Sequence, residues 1–283
     1  MTPNLRGSLF MVGSMAGFAV EDMFLKAVSR TMPVGEAILL MGLCGTLVFG
    51  LAARAAGQPA LPSAILSRTM ATRSAFEIVG RLFYALAVAL TPISTASAIL
   101  QATPLLVVLG AALIFGERVA PWRWALILLG FGGVLVILRP GLEGFSPLSL
   151  LALIAMVGFA GRDLATRAAP PALSNAQLGV TGFLMLTLSG IIVLATTGGA
   201  HLPDGHSLIL LAGACLFGIG GYAALTQAMR VGDVAVVTPL RYTRLLFALA
   251  IGMLAFGERP DAATLAGSAL IVACGVALLT RRA

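Results

Sequence analysis

The chain contains the stretch MAGFAVED at residues 15–22 and the stretch MVGFAGRD at residues 156–163. Five of the eight positions are identical, and an offset of 141 residues superimposes them. The same offset places FGER at residues 115–118 on FGER at residues 256–259. A single offset that holds over about a hundred residues without a gap indicates an internal duplication.

The composition places both halves, residues 1–141 and 142–283, in lipid. Apolar residues make up 59% of the chain and charged residues 10%, and the mean hydropathy is +1.02. A water-soluble domain is roughly 45–50% apolar and about 25% charged. A soluble fold of 283 residues has no interior large enough to hide so much apolar surface.

The apolar runs predict ten spanning helices, five in each half. An odd number of spans per repeat inserts the second half upside down, as in many secondary transporters. We therefore expect an all-α polytopic membrane protein built from two inverted five-helix repeats, with a substrate site between the two halves. The expected spans are 5–29, 34–53, 74–91, 93–116, 121–138, 147–168, 175–196, 207–230, 234–256 and 260–280.

Loop charges predict the orientation of these spans. With the N-terminus in the cytoplasm, ten basic residues fall inside and four outside, and cytoplasmic loops are the ones enriched in lysine and arginine. We expect both termini to be cytoplasmic, in a bacterial inner membrane. The same bias accounts for the net charge of +7 without a nucleic-acid partner.

The Phe-Gly-Glu box that closes the fourth span of each half resembles the drug/metabolite transporter superfamily. Each half is similar to one EamA-type domain, and the whole chain resembles bacterial aromatic amino acid exporters. This resemblance implies a basket-like bundle around a central cavity, lined by the first, third and fourth spans of each repeat. The box glutamates, Glu117 and Glu258, are expected to cap the next helix or to pair with a nearby arginine.

Charged side chains at membrane depth are costly, so they face a cavity or pair with one another. Asp22 and Asp163 are repeat mates late in the first span of each half. Each is a candidate for binding a substrate ammonium or a proton. The alternative is a helix-end ion pair with Lys26 or Arg167, each four residues further on.

Glu77 and Arg81 lie one turn apart in the third span, so we expect a salt bridge or a direct contact with substrate. Arg244 lies near the middle of the ninth span. A guanidinium binds a carboxylate through two hydrogen bonds, which makes Arg244 the candidate anchor for a substrate carboxylate. The alternative is a buried partner such as Asp163 or Glu77.

Four uncharged polar side chains complete the candidate substrate site. Tyr84 lies on the face of Arg81, Tyr222 is the repeat mate of Arg81, and Gln101 and Tyr242 are mates deep in the fourth spans. A tyrosine offers an apolar ring with a polar tip, which suits an amphiphilic solute.

The motifs of other function classes are missing from the sequence. There is no Walker A, HExxH, CxxC or GxSxG pattern, so we expect no ATPase, no enzyme, no metal and no cofactor. We expect a secondary transporter of small organic solutes, most specifically an amino acid exporter. The alternatives are a transporter of a quaternary amine, nucleoside or drug-like cation, an intramembrane enzyme and a membrane scaffold. The sequence leaves the oligomeric state open, and a monomer is compatible with it.

Overall fold

A computed structural model describes six stretches of the chain, and every regular element in them is helical. The described residues are 2–116, 120–139, 146–167, 173–200, 202–231 and 238–280. Large apolar side chains cover the outer surface, where Leu128, Leu216 and Leu254 are 68%, 69% and 88% exposed. Such a surface is stable against acyl chains and unstable against water.

Eleven α-helices in the described residues form ten spans, and the predicted fold class is confirmed. The first half contains α1 (Pro3–Val28), α2 (Val34–Ala55), α3 (Arg68–Leu90), α4 (Ile93–Leu100), α5 (Thr103–Phe115) and α6 (Pro121–Leu138). The second half contains α7 (Ser149–Arg167), α8 (Asn175–Thr197), α9 (Gly205–Val231), α10 (Thr243–Phe256) and α11 (Ala262–Thr280). Helices α4 and α5 together make the fourth span.

Five of these spans are long and apolar enough to cross a bilayer by themselves: α1, α2, the α4–α5 pair, α8 and α9. Helices α6, α10 and α11 are shorter, at 18, 14 and 19 residues. Helices α3 and α7 carry charges, including Arg73, Glu77 and Arg81 on α3. They need the other helices to shield those charges from lipid.

The packing of the helices follows the duplication. The first span of each half lies along the third span of the other, so α1 packs on α9 and α7 packs on α3. The second spans, α2 and α8, pack together, and so do the last spans, α6 and α11. This arrangement is a pseudo-twofold relation between inverted repeats.

Glycines of the repeated motif permit the close crossings of α1 with α9 and of α7 with α3. A Cβ atom built on Gly17 would lie 3.2 Å from the Cα atom of Gly221. At the equivalent crossing, a Cβ atom on Gly158 would lie 2.7 Å from the Cα atom of Gly80. Backbones that approach this closely maximise van der Waals contact, which drives helix association in lipid.

The fourth span of each half departs from a regular α-helix within the stretch that the sequence predicted as a span. The first break lies at Gln101 and Ala102, between α4 and α5. Pro104 has no N–H to donate to the carbonyl of Leu100, and the Thr103 hydroxyl donates to that carbonyl instead, at 2.5 Å. In the second half, a 3₁₀ turn at Thr238–Tyr242 precedes α10.

Candidate substrate site

A cavity of about 160 Å³ lies between the two halves. The first, third and fourth spans of both repeats line it, and the second spans add Ile38, Met41 and Leu186. Pockets for drug-sized ligands are roughly 300–1,000 Å³. The cavity in this conformation therefore has room for a small solute only.

Eight of the nine side chains predicted as the substrate site line this cavity: Asp22, Arg81, Tyr84, Gln101, Asp163, Tyr222, Tyr242 and Arg244. The ninth, Glu77, lies behind the cavity wall. Three further charged residues line the cavity but were not among the predicted site residues: Glu21, Arg162 and Arg241. These three residues also carry charges inside the predicted spans, so the cost of charge at membrane depth is the sequence signal that could have identified them.

The Arg244 guanidinium, on α10, is bound to the first half of the protein. Its Nη2 atom lies 2.7 Å from Oδ2 of Asp22 and 3.1 Å from the Tyr84 hydroxyl oxygen. Tyr84 in turn donates to Oδ2 of Asp22 at 2.9 Å, and the guanidinium lies over the rings of Phe18 and Tyr84. In the part of the chain that the structure describes, Nε of Arg244 is buried and has no acceptor.

These contacts answer two questions that the sequence left open. Arg244 has a buried carboxylate partner, but this partner is Asp22 and neither Asp163 nor Glu77. Lys26, four residues after Asp22, turns away from it and pairs with Glu258. The interpretation of Asp22 as one half of an Asp22–Lys26 helix-end ion pair was therefore wrong.

Asp163 occupies the equivalent place in the second half and also meets arginine. Its Oδ1 atom lies 2.7 Å from Nη2 of Arg162 and 3.0 Å from Nε of the same residue. Arg241 is a second neighbour, with Nη1 at 3.9 Å from Oδ2 of Asp163. The side chain of Arg167, the alternative partner, lies outside the described residues.

Glu77 lies behind the cavity wall and forms ion pairs with three arginines. The predicted contact with Arg81 is confirmed at 3.0 Å, and Arg73 and Arg162 approach to 3.3 Å and 3.5 Å. The Glu77 side chain is 1% exposed. Its position suits it to hold Arg81 and Arg162 in the wall of the cavity.

Of the uncharged polar residues, Gln101 and Tyr242 lie where the fourth spans depart from α-helix, and Tyr84 and Tyr222 lie on the third spans. Gln101 donates to the backbone carbonyl of Arg241 at 3.0 Å, which joins the two breaks across the pseudo-twofold axis. The hydroxyl of Tyr242 is buried and has no partner among the described residues. The ring of Tyr222 packs edge-on against Phe49 and Phe183, which fixes its orientation.

Glu258 makes a contact between the two repeats that the sequence did not predict. Glu258 follows α10, accepts hydrogen bonds from the N–H groups of Ile93 and Ser94 at 2.8 Å and 3.2 Å, and thereby caps α4. Lys26 lies 3.3 Å from Glu258 and donates to the carbonyl of Thr91 at 2.5 Å. The helix that Glu258 caps belongs to the other repeat, so the expectation that it caps the next helix was wrong. Its mate Glu117 lies outside the described residues.

The described residues contain no group of three or more histidine, cysteine, aspartate or glutamate side chains that would hold a metal ion. What they provide is a cavity with both signs of charge on its walls.

Comparison with known proteins gives the family. The EamA-like transporter family matches the chain twice, over residues 5–139 and 147–281. A riboflavin transporter from Rhizobium johnstonii is 30% identical over 74% of this chain and 68% of its own length. The pseudopaline exporter CntI of Pseudomonas aeruginosa is 28% identical over 96% and 95%. An S-adenosylmethionine uptake transporter from Rickettsia felis is 25% identical over 65% and 62%.

A solved crystal structure superposes on the chain with a TM-score of 0.64, at 22% identity, and covers 97% of this chain and 99% of its own. At that identity the likeness concerns the fold alone. The relatives are named for riboflavin, pseudopaline and S-adenosylmethionine, so aromatic amino acids remain an expectation. The chain belongs to the EamA-like transporter family of the drug/metabolite transporter superfamily, and it is a polytopic membrane transporter of small solutes.

Proposed function

We propose that this protein is a secondary transporter that exports amino acids across the bacterial inner membrane. The observation that carries the proposal is the Arg244–Asp22 ion pair in the cavity, 2.7 Å long, between helices of opposite repeats. A zwitterion has a complementary charge for each member of this pair. The unused Nε donor of Arg244 leaves the guanidinium with capacity for a second acceptor.

Substrate binding by this route opens one ion pair and forms two. The substrate carboxylate accepts from Nε and Nη2 of Arg244, in the two-point geometry that guanidinium groups favour. The substrate ammonium takes the place of Arg244 at Asp22. Because the buried charges stay paired throughout, the exchange avoids the cost of leaving Asp22 or Arg244 alone.

The remaining predicted residues surround the side chain of the bound solute. Tyr84, Tyr222 and Tyr242 present apolar rings with polar tips to it, Gln101 presents an amide, and Arg81 and Asp163 complete the charged wall. Glu77 acts through Arg81 and does not touch substrate. One chain encloses the cavity with its own helices, so we propose that a monomer embedded in the bilayer is the transporting unit.

The charge of the lining separates this proposal from transport of a quaternary amine or drug-like cation. Four arginines and three carboxylates line the cavity: Arg81, Arg162, Arg241, Arg244, Glu21, Asp22 and Asp163. A surplus of positive charge attracts a carboxylate and repels a solute that carries only positive charge. The same surplus favours carboxylate-bearing solutes over nucleosides.

Alternating access would come from rocking one repeat against the other around the site. The Glu258–Lys26–Thr91 contact ties α10 to α1 and to the chain just before α4, so it would have to open for these elements to move apart.

A second candidate is a larger metabolite of the kind named for the relatives: riboflavin, S-adenosylmethionine or pseudopaline. The similarity to those transporters favours it. The cavity would have to widen well beyond about 160 Å³ to hold such a solute.

Counterflow in proteoliposomes distinguishes the two candidates. Vesicles loaded with one unlabelled solute each, an amino acid or a larger metabolite, should accumulate the labelled form only where the protein carries it. We expect accumulation with amino acids, and with aromatic ones among them. Counterflow of riboflavin or S-adenosylmethionine without any amino acid counterflow would establish the second candidate instead.

The orientation is proposed from loop charge and is tested separately. We predict that both termini are cytoplasmic and that residues 198–206 are outside. Fusions of a periplasm-active and a cytoplasm-active reporter at the C-terminus and within 198–206 should report opposite sides. A result that places both fusions on one side would contradict the ten-span inverted arrangement.

A further inference from the structure

Glu21 is a charged residue of the cavity wall that the site described above does not use. It precedes Asp22 on α1, lines the cavity, and is 7% exposed. Among the residues that the structure describes, its carboxylate has neither a hydrogen bond nor an ion pair. Asp22, Asp163 and Glu77 differ from it, because each has an arginine nitrogen within 3.0 Å.

The duplication explains why Glu21 lacks a partner. The offset of 141 residues places Glu21 on Arg162 and Gly218 on Glu77. In one half, Arg162 on α7 lies 3.5 Å from Glu77 on α3. In the other half, Glu21 on α1 faces Gly218 on α9, and a Cβ atom built on Gly218 would lie 2.7 Å from Oε1 of Glu21. Where one repeat has a counter-charge, the other has a residue without a side chain.

Arg81 and Arg244 are the nearest cations, but neither forms an ion pair with Glu21 in the described part of the chain. Arg81 is bound to Glu77 at 3.0 Å and Arg244 to Asp22 at 2.7 Å, so both are committed elsewhere. The ionisable groups that lie beside Glu21 or share the cavity lining with it are Asp22 on its own helix, Cys44 on α2, Arg81 and Tyr84 on α3, Cys215 and Tyr222 on α9, Arg162 and Asp163 on α7, Arg241 and Tyr242 on the 3₁₀ turn, and Arg244 on α10. None of them donates a hydrogen bond to Glu21 within the described stretches.

We propose that Glu21 is the proton-carrying group that couples solute movement to the pH gradient. A carboxylate oxygen of Glu21 accepts a proton from hydronium in the open cavity and leaves a water molecule. The resulting carboxylic acid returns the proton to water when the cavity opens to the other side. This assignment rests on the proposed transport function.

Electrostatics gives the reason for choosing Glu21. An ionised carboxylate without a partner is costly in a closed cavity at membrane depth, whereas a neutral carboxylic acid is not. Closure of the cavity therefore favours the protonated form of Glu21. A proton offers less to Asp22, Asp163 and Glu77, because an arginine nitrogen within 3.0 Å already offsets the charge of each.

The first test uses full-length protein in proteoliposomes with the membrane potential clamped at zero. With one proton moved per solute, a gradient of about one pH unit supports about tenfold accumulation. Glu21→Gln, which resembles the protonated acid, should abolish this accumulation and keep counterflow of the same solute. Glu36→Gln is the control, because Glu36 is also 7% exposed and does not line the cavity. It should keep the tenfold response.

The second test needs no substrate. An infrared difference spectrum of the purified protein between acid and alkaline pH should show a protonated-carboxyl band that shifts in D₂O. One component of the band should be lost in Glu21→Gln, and the same component should remain in Glu36→Gln. Full gradient-driven accumulation by Glu21→Gln, or an unchanged infrared band, would overturn the assignment. Absence of amino acid counterflow in the wild-type protein would refute the proposed substrate instead, and the infrared result would still decide the role of Glu21.

Discussion

Arg244→Ala is expected to abolish transport of carboxylate-bearing solutes in proteoliposomes, and Arg244→Lys is expected to weaken it. Loss of one partner of a buried, hydrogen-bonded charge pair costs about 2–5 kcal/mol, so uptake should fall by about 30-fold or more. Lysine keeps the charge but lacks the planar fork that binds a carboxylate at two points. Initial rates of labelled amino acid uptake measure both effects.

A double variant distinguishes a role of Arg244 in substrate binding from a role in folding. Arg244→Ala leaves Asp22 buried without its partner, which threatens folding by itself. Arg244→Ala/Asp22→Asn removes both charges, so its thermal stability in detergent should recover towards that of the wild type while transport stays absent. Full amino acid flux in a well-folded Arg244→Ala or double variant would refute the anchor.

Glu77→Gln is expected to cause the largest loss of stability among single neutralisations. It leaves Arg73, Arg81 and Arg162 packed around a neutral side chain that is 1% exposed in the native protein. Removal of one partner from a buried ion pair costs about 3–5 kcal/mol. Thermal unfolding in detergent, followed by tryptophan fluorescence or circular dichroism, should show a clearly lower midpoint.

Two controls accompany this variant. Glu77→Gln/Arg81→Gln should recover part of the loss, because one surplus positive charge is gone. Asp261→Asn should cost much less, since Asp261 pairs with Arg139 at the surface and is 51% exposed. An exposed ion pair is worth about 0–1 kcal/mol. An unfolding midpoint of Glu77→Gln equal to that of the wild type would contradict the role given to the cluster.

The sequence by itself determined the architecture, because the bilayer imposes it locally. A span needs a fixed length of apolar chain, and an odd number of spans per repeat requires inversion. The cost of charge at membrane depth also pointed to the cavity, because four of the five charged residues predicted for the site line it. The sequence signal for the departures from α-helix at Gln101 and at Thr238–Tyr242 was weaker, since a proline indicates a break without fixing its position.

Only the tertiary structure decided which charges pair. Helical spacing predicts partners on the same helix, and it therefore predicted an ion pair between Asp22 and Lys26. Packing instead brings Arg244 to Asp22 from 222 positions away, and it brings Glu258 to Lys26. In lipid an unpaired charge is costly over the whole fold, so the arrangement that satisfies most charges at once prevails over the local one.

Glu21 also shows which properties the sequence determines and which only the tertiary structure decides. The sequence placed it opposite Arg162 in the duplication, with charges of opposite sign. The structure shows that Arg162 binds Asp163 and Glu77, and that Gly218 occupies the position from which a partner would reach Glu21. A carboxylate is left unpaired only when all surrounding helices are in place, because each contributes or withholds a counter-charge. Its isolation is therefore a property of the assembled bundle.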